Sequence, residues 1–408
     1  MKKTVLQNYA KLIVRKGINV QKGQEVRVRA CLDHPEFVKT VVDECYKAGA
    51  GKVCVEWEYQ PIDKSHYKYR SEKTLTHVEN WEVEKYKHYV EARPAYIFLE
   101  SDDPDGLKGV NQQKVAKAQQ ARYKIFKPYR DMLDNHYQWC IAAVSGKAWA
   151  KKVFPGIRAS LAEEKLWQAI LKTSRADGAD PIEAWNIHNA DIKSRCDYLN
   201  SLNIKELRYK SSNGTDFRVG FIEGANFLGG KEKTLEGVEY NPNIPSEEVF
   251  TSPMKGNADG VVVATRPLSY RGELIENFSI TFENGKVIKV SAEKNEALLE
   301  SMIKMDENAC MLGECALVPY DSPIRNSGIT FFNTLFDENA CCHLALGRGF
   351  NECLKGYENM TFDECKEKGI NDSLIHVDFM IGSEDLDIDA VTRDGKTVAI
   401  FRHGNWAF

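Results

Sequence analysis

Six side chains in the second half of the sequence are of the types that hold divalent metal ions. His376-Val377-Asp378-Phe379-Met380-Ile381-Gly382 alternates as a strand does, which sets His376 and Asp378 on one face and Val377 and Phe379 on the other. A His and an Asp at that spacing can address one ion, although the same letters describe a surface pair on an edge strand. Glu314 stands inside the apolar run Met311 to Pro319. A carboxylate there is costly unless a charge or metal offsets it, the alternative being a hydrogen-bonded core carboxylate. Glu248 lies between Pro245 and Pro253 in a short extended piece, where it and Glu247 point in opposite directions. One of them can face the core, or Glu248 can be a solvated loop charge.

Asp337 to Gly347 reads as a capped helix, with Asp337 at the N-cap, Glu338 in the first turn and Gly347 at the C-cap. His343 then shares a helix face with Asn339, and a satisfied core histidine would look the same. Taken together, these segments supply three or four carboxylates and two imidazoles within one domain. That inventory suits a pair of borderline ions such as Zn²⁺, Co²⁺ or Mn²⁺. One carboxylate bridging two ions about 3.5–4 Å apart is the usual hydrolytic arrangement. The residues alone lead to a dimetal hydrolase.

The elements that must position these groups follow from periodicity. Val5, Leu6, Tyr9, Leu12 and Ile13 form a helical stripe that Gly17 ends, and Glu25 to Cys31 alternates as a strand. Phe37, Val38, Val41, Val42 and Cys45 make a second helical stripe, followed by strands at Val53 to Val55, Tyr96 to Leu99 and Trp139 to Val144. Such alternation predicts an α/β N-terminal domain with a mostly parallel sheet. Ala48 to Lys52 is glycine-rich, but the glycines close a helix and precede a strand, which is the reverse of a phosphate loop. Near residue 195 the texture changes to hairpins, with turns at Asn213-Gly214, Asn284-Gly285 and Asp394-Gly395. The expected division is therefore 1–195 as the α/β domain and 196–408 as an α+β metal-binding catalytic domain rich in antiparallel strands.

At 408 residues the chain is too long for one ordinary core, and its net charge of −4 is spread without a basic stripe, which argues against nucleic acid. No run of about 18 apolar residues is present, so no membrane span is expected. The eleven cysteines are scattered without a CxxC pair, which suits a reducing, cytoplasmic setting. The first nine residues turn polar before an apolar run reaches signal-peptide length. The six histidines before residue 190 sit among charged or aromatic neighbours and are expected mostly at the surface.

In order, Ser246 to Pro253, Leu312-Gly313-Glu314, Asp337-Glu338-Asn339-Ala340 with His343, and His376 to Gly382 resemble the aminopeptidase T / aminopeptidase S / PepS family of metallo-aminopeptidases. Tyr9 to Val20 also matches that family's start, so the resemblance runs nearly end to end. It implies two divalent ions (Zn²⁺ or Co²⁺, with Mn²⁺ or Mg²⁺ as alternatives), a homodimer, and removal of N-terminal residues from short peptides by a metal-bridged water or hydroxide. It implies Glu248, Glu314, His343, His376 and Asp378 as ligands, with Glu338 as a further acidic site residue. Glu314 or Glu338 would then carry the proton. One departure stands out: the family's Tyr seven residues after the ligand histidine is Phe350 here, which leaves nearby Tyr357 as a substitute for binding the carbonyl oxygen. Two other readings use the same residues. One is a different dimetal hydrolase, an amidohydrolase or a phosphoesterase drawing on Arg325 and Arg348. The other is a non-catalytic, metal-stabilised binding protein, against which the carboxylate-rich inventory counts, since closed zinc sites favour Cys and His.

Overall fold

The computed structural model describes residues 2–408. The chain divides into two compact units, one of residues 1–189 and 230–246 and the other of residues 190–229 and 247–408. Residues 230–246 therefore belong with the first unit, whereas the sequence reading drew one boundary after 195.

The first unit is built on a parallel sheet. Strands β1 (Glu25–Cys31), β2 (Lys52–Glu58), β3 (Ala95–Glu100) and β4 (Trp139–Ala143) pair in the order β2-β1-β3-β4, and β9 (Asn243–Ile244) adds in parallel beside β4. Val26, Val28, Ile97, Leu99, Cys140 and Ala142 are buried along it. The preceding helix α1 (Lys3–Leu12) buries Tyr9 and Leu12 and runs on through a π-helical turn to Gly17. Helix α2 (Pro35–Ala48) starts with Pro at its first position and stops at Gly49, whose φ of +109° suits glycine. Tyr9, Phe37 and Trp167 pack ring against ring between these helices. His188 departs from the surface expectation: it is buried, with Nε2 2.7 Å from the Ser246 carbonyl.

The second unit stacks two antiparallel sheets. The larger is nine-stranded and contains β5 (Ile204–Lys210), β6 (Asp216–Phe221), β11 (Pro253–Val263), β13 (Glu273–Glu283), β14 (Lys286–Lys294), β18 (Asp387–Thr392) and β19 (Thr397–Arg402). The three glycine turns read from the sequence join β5 to β6, β13 to β14 and β18 to β19. The smaller sheet has the order β10-β15-β16-β17, from Val249–Thr251, Leu312–Leu317, His343–Gly347 and His376–Met380. Between the sheets lies one apolar cluster. To it the smaller sheet gives Val249, Leu312, Cys315, Leu317, Cys342, Leu344, Leu346 and Phe379, and the larger gives Tyr209, Phe217, Phe278 and Ile388 among others. Burial of each large side chain contributes roughly 1.5–3 kcal/mol, so this face fixes the register of every strand.

The sequence-based α/β-plus-α+β class holds, but one element is corrected. Asp337 to Gly347 is not a single capped helix. A short helix, Thr334–Glu338, ends at Asn339, and His343–Gly347 is the strand β16, fully buried between β15 and β17. Five residues are too few for their alternation to outweigh the capped-helix signals before them, and pairing on both edges decided it. All eleven cysteines are free thiols, and no helix among the described residues is long and apolar enough to cross a membrane.

Candidate metal centre

Period two explains where the polar residues of the small sheet go. With Leu344, Leu346, Cys315 and Phe379 committed to the core, His343, Ala345, Gly347, Glu314, Ala316, His376 and Asp378 must occupy the opposite face. The register places Glu314, Ala345 and Asp378 in one row across three strands, with Gly347 opposite His376 in the next. Ala345 and Gly347 carry almost no side chain, so residues on β15 and β17 meet above the middle strand. His376 Nε2 lies 3.0 Å from Glu314 Oε2 and 3.3 Å from Asp378 Oδ1. Glu248, immediately before β10, closes the other side, its Oε2 3.1 Å from His343 Nε2. Glu314 is aimed by a β-bulge at Gly313, where any Cβ would stand 2.2 Å from the Arg348 carbonyl oxygen.

Two overlapping ligand groups result: Glu248, Glu314 and His343, and Glu314, His376 and Asp378. In each, the donor atoms lie within 4.8 Å of one another, and Glu314 belongs to both. Glu338, at the end of its short helix, is buried beside them and bonded through Oε1 to the Asn339 amide at 3.4 Å. The structure thus brings all six expected residues together. Tyr357 packs instead against an apolar cluster of Ile222, Leu354, Cys365 and Ile370. The aromatic ring beside His376 is Phe350, at 4.9 Å between centroids and edge-on to Phe250. The Arg348 guanidinium lies over Phe362, and Arg325 bonds the Tyr320 hydroxyl.

The electrostatics call for cations. Among the described residues neither Lys nor Arg pairs with any of the four carboxylates. Burial pushes Glu314 up to about 7; His376 pulls against that, while Glu248 and Asp378 push further. Burial, then the charges of Asp378, Glu248 and Glu314, raise Glu338 well above the carboxylate range. Burial lowers His343, but Glu248 outweighs it and brings the imidazole to about 9. His376 is likewise driven up against its burial by Asp378 and Glu314. Asp378, which burial would raise, is held low chiefly by His376. Its Oδ1 is buried and accepts no hydrogen bond of proper geometry.

The donor set fits divalent ions for a further reason. Each imidazole has Nδ1 against a backbone carbonyl, His376 on Arg348 at 2.7 Å and His343 on Cys341 at 3.3 Å, which leaves Nε2 for the cluster. Ligand histidines are typically oriented in this way. Asn339, which the sequence reading placed only as a neighbour of His343, accepts the Glu247 N–H at 2.6 Å and donates to the Leu335 carbonyl at 2.9 Å. It thereby fixes the segment carrying Glu248. Glu247 and Glu248 are both buried, so the loop charge expected for one of them is absent.

Residues 2–406 match the profile of the thermophilic metalloprotease (M29) family. This chain belongs to the M29 metalloproteases. Among similar proteins, aminopeptidase AmpS of Bacillus subtilis is 40% identical over 404 residues, covering 99% of this chain and 98% of that protein. Aminopeptidase T of Thermus thermophilus is 38% identical over 402 residues, 98% of each. The solved structure of wild-type AmpT from Thermus thermophilus superposes with a TM-score of 0.89 at 36% identity, covering all of both chains. For an M29 chain the signal that could have found β16 was present: His343-Leu344-Ala345-Leu346-Gly347 itself alternates.

Proposed function

We infer that this chain is a metal-dependent aminopeptidase whose active centre is the cluster on the polar, ligand-bearing face of the small sheet. The M29 family and the aminopeptidase relatives support the activity. The placement of the centre rests on one observation, that two ligand triads share Glu314. Glu248, Glu314 and His343 would hold one divalent ion, and Glu314, His376 and Asp378 a second. Oxygen and imidazole donors without thiolate suit Zn²⁺ or Co²⁺, with Mn²⁺ and Mg²⁺ as weaker candidates. When bound, the ions supply Lewis acidity toward the peptide carbonyl and lower the pKa of a water.

The protein's own residues do the rest. The Cys341 and Arg348 carbonyls hold both imidazoles with Nε2 facing inward. Glu338 belongs to neither triad, and burial, then the neighbouring carboxylates, raise its proton affinity. It is the residue free to pass a proton at its carboxyl oxygen to the leaving amine. Phe350, Phe250 and Ala316 form an apolar wall that excludes water on the His376 side. A carboxylate of the cluster receives the substrate's α-ammonium group, which confines cleavage to the N-terminal residue of short peptides. We further propose a homodimer, on the family resemblance, and a cytoplasmic setting, on eleven cysteines that form no disulfide.

The test is hydrolysis of leucyl-p-nitroanilide beside its N-acetylated form by chelator-stripped protein given back Zn²⁺, Co²⁺, Mn²⁺ or Mg²⁺. Metal-restored cleavage of the free-amine substrate alone is expected. Equal cleavage of both, or of neither with metal bound, would remove the aminopeptidase reading.

A further inference from the structure

Arg325 stood out in the sequence, and the metal centre does not use it. It lines a cavity in the same unit, of about 430 Å³, together with Arg266, Tyr320, Thr330 and Ser383. Arg325 stacks on the Tyr320 ring at 4.1 Å and donates to its hydroxyl. Arg266 is 17% exposed and reaches Asp337 Oδ1 at 3.4 Å. That carboxylate already accepts the Phe331 N–H at 2.9 Å and the Asn333 N–H at 3.3 Å. Each guanidinium carries five N–H donors in a planar fork, so most of both forks is left for the cavity. Glu384, the acid in the lining, forms an ion pair with neither arginine among the described residues. The cavity therefore presents two guanidinium groups, of which Arg266 pairs with Asp337, while Glu384 in the lining pairs with neither.

We propose that this cavity is a binding site for a small oxyanion, a carboxylate or a phosphate, held by Arg325 and Arg266 with the Thr330 hydroxyl. Two forks converging on one volume suit the paired oxygens of such a group, with bonds about twice as strong as neutral ones. The site has a route to the metal centre: an anion that draws on Arg266 competes with Asp337, and the next residue is Glu338.

Calorimetric titration of the full-length protein, metal-loaded and chelator-stripped, tests this with two probes. Inorganic phosphate is one, and N-acetyl-leucine, a carboxylate without a free amine, is the other. Binding of at least one probe to both protein forms is expected, about ten- to a hundredfold weaker in Arg325→Met and less affected in Arg325→Lys. Whichever probe binds more tightly identifies the source of the oxyanion. Thr330→Glu, which sets a carboxylate in the cavity, is expected to abolish binding and serves if Arg325→Met does not fold. Binding that needs metal, that is unchanged in both the Arg325→Met and Thr330→Glu variants, or that is absent for both probes at tens of millimolar overturns the proposal. Leucyl-p-nitroanilide turnover by the same samples reports separately on the aminopeptidase reading.

Discussion

Glu338→Gln separates proton transfer from metal binding. Glu338 lies outside both ligand triads, and burial, then the charges of Asp378, Glu248 and Glu314, raise its pKa well above the usual carboxylate range. Gln preserves the shape of the side chain while removing its ability to carry a proton. Stability should change by no more than about 1 kcal/mol, the scale of a single hydrogen bond. Both ions should remain. A lost general acid or base typically costs about 10²–10⁴ in rate, which at 1.36 kcal/mol per decade is a barrier increase of roughly 2.7–5.5 kcal/mol. The assay is kcat and KM on leucyl-p-nitroanilide, with metal content by atomic emission on the same protein. The expected result is a fall in kcat at nearly constant KM with full metal occupancy. Activity above half of wild type would refute proton transfer through Glu338, and loss of an ion would make it a ligand instead.

Glu314→Gln touches both triads at once, so loss of both ions and of all turnover is expected, with metal analysis before and after dialysis as the check. Gly347 has φ +106°, and a Cβ there would meet the Ile375 carbonyl oxygen at 2.0 Å. Gly347→Ala should cost about 1–3 kcal/mol from conformation alone, more with the overlap, read as a lower midpoint in denaturant titration. In the first unit, burial raises Glu56, but Lys85, Arg27 and Tyr89 outweigh it and hold the carboxyl at about 2. A depressed folded-state pKa stabilises above the unfolded value, near 4.5, and the gain is lost as pH falls toward 2. Glu56→Gln should therefore be less stable than wild type at pH 7, with the gap closing between pH 4.5 and 2. A gap independent of pH would show that packing, and not the ion pairs, is what the substitution removes.

The parts of the fold that could be read in the sequence are those where one physical signal dominates. The parallel strands alternate with amphipathic helices, and each hairpin turn has Gly at a left-handed position, including Gly214, Gly285 and Gly395. His376 and Asp378 were legible because a strand has period two, and Glu314 because a carboxylate in an apolar run needs a partner. His343 was assigned to the wrong element because acid, small and apolar residues from Asp337 onward imitate a capped helix. The chain instead uses Asp337 and Glu338 as the end of a five-residue helix and His343–Gly347 as a strand. Asn339 and the Cys341 and Arg348 carbonyls act through tertiary hydrogen bonds, which leave no local pattern. The return of residues 230–246 to the first unit likewise depends on the pairing of two-residue β9 with β4, too short to be read as a strand.

Because the donors sit on three neighbouring strands and the segment leading into a fourth, and not on one loop, the centre has a consequence for how the protein is born. Its ligands are drawn from positions 248, 314, 343, 376 and 378, and apart from His376 and Asp378, which share one strand, none meets another until strands distant in the chain have docked. Closing such separations is slow, so the nascent polypeptide should emerge with no competence to scavenge metal and acquire it only in the last steps of assembly. An ion that recognises only the finished sheet then acts as a thermodynamic latch, holding mature molecules against unravelling in proportion to its free concentration.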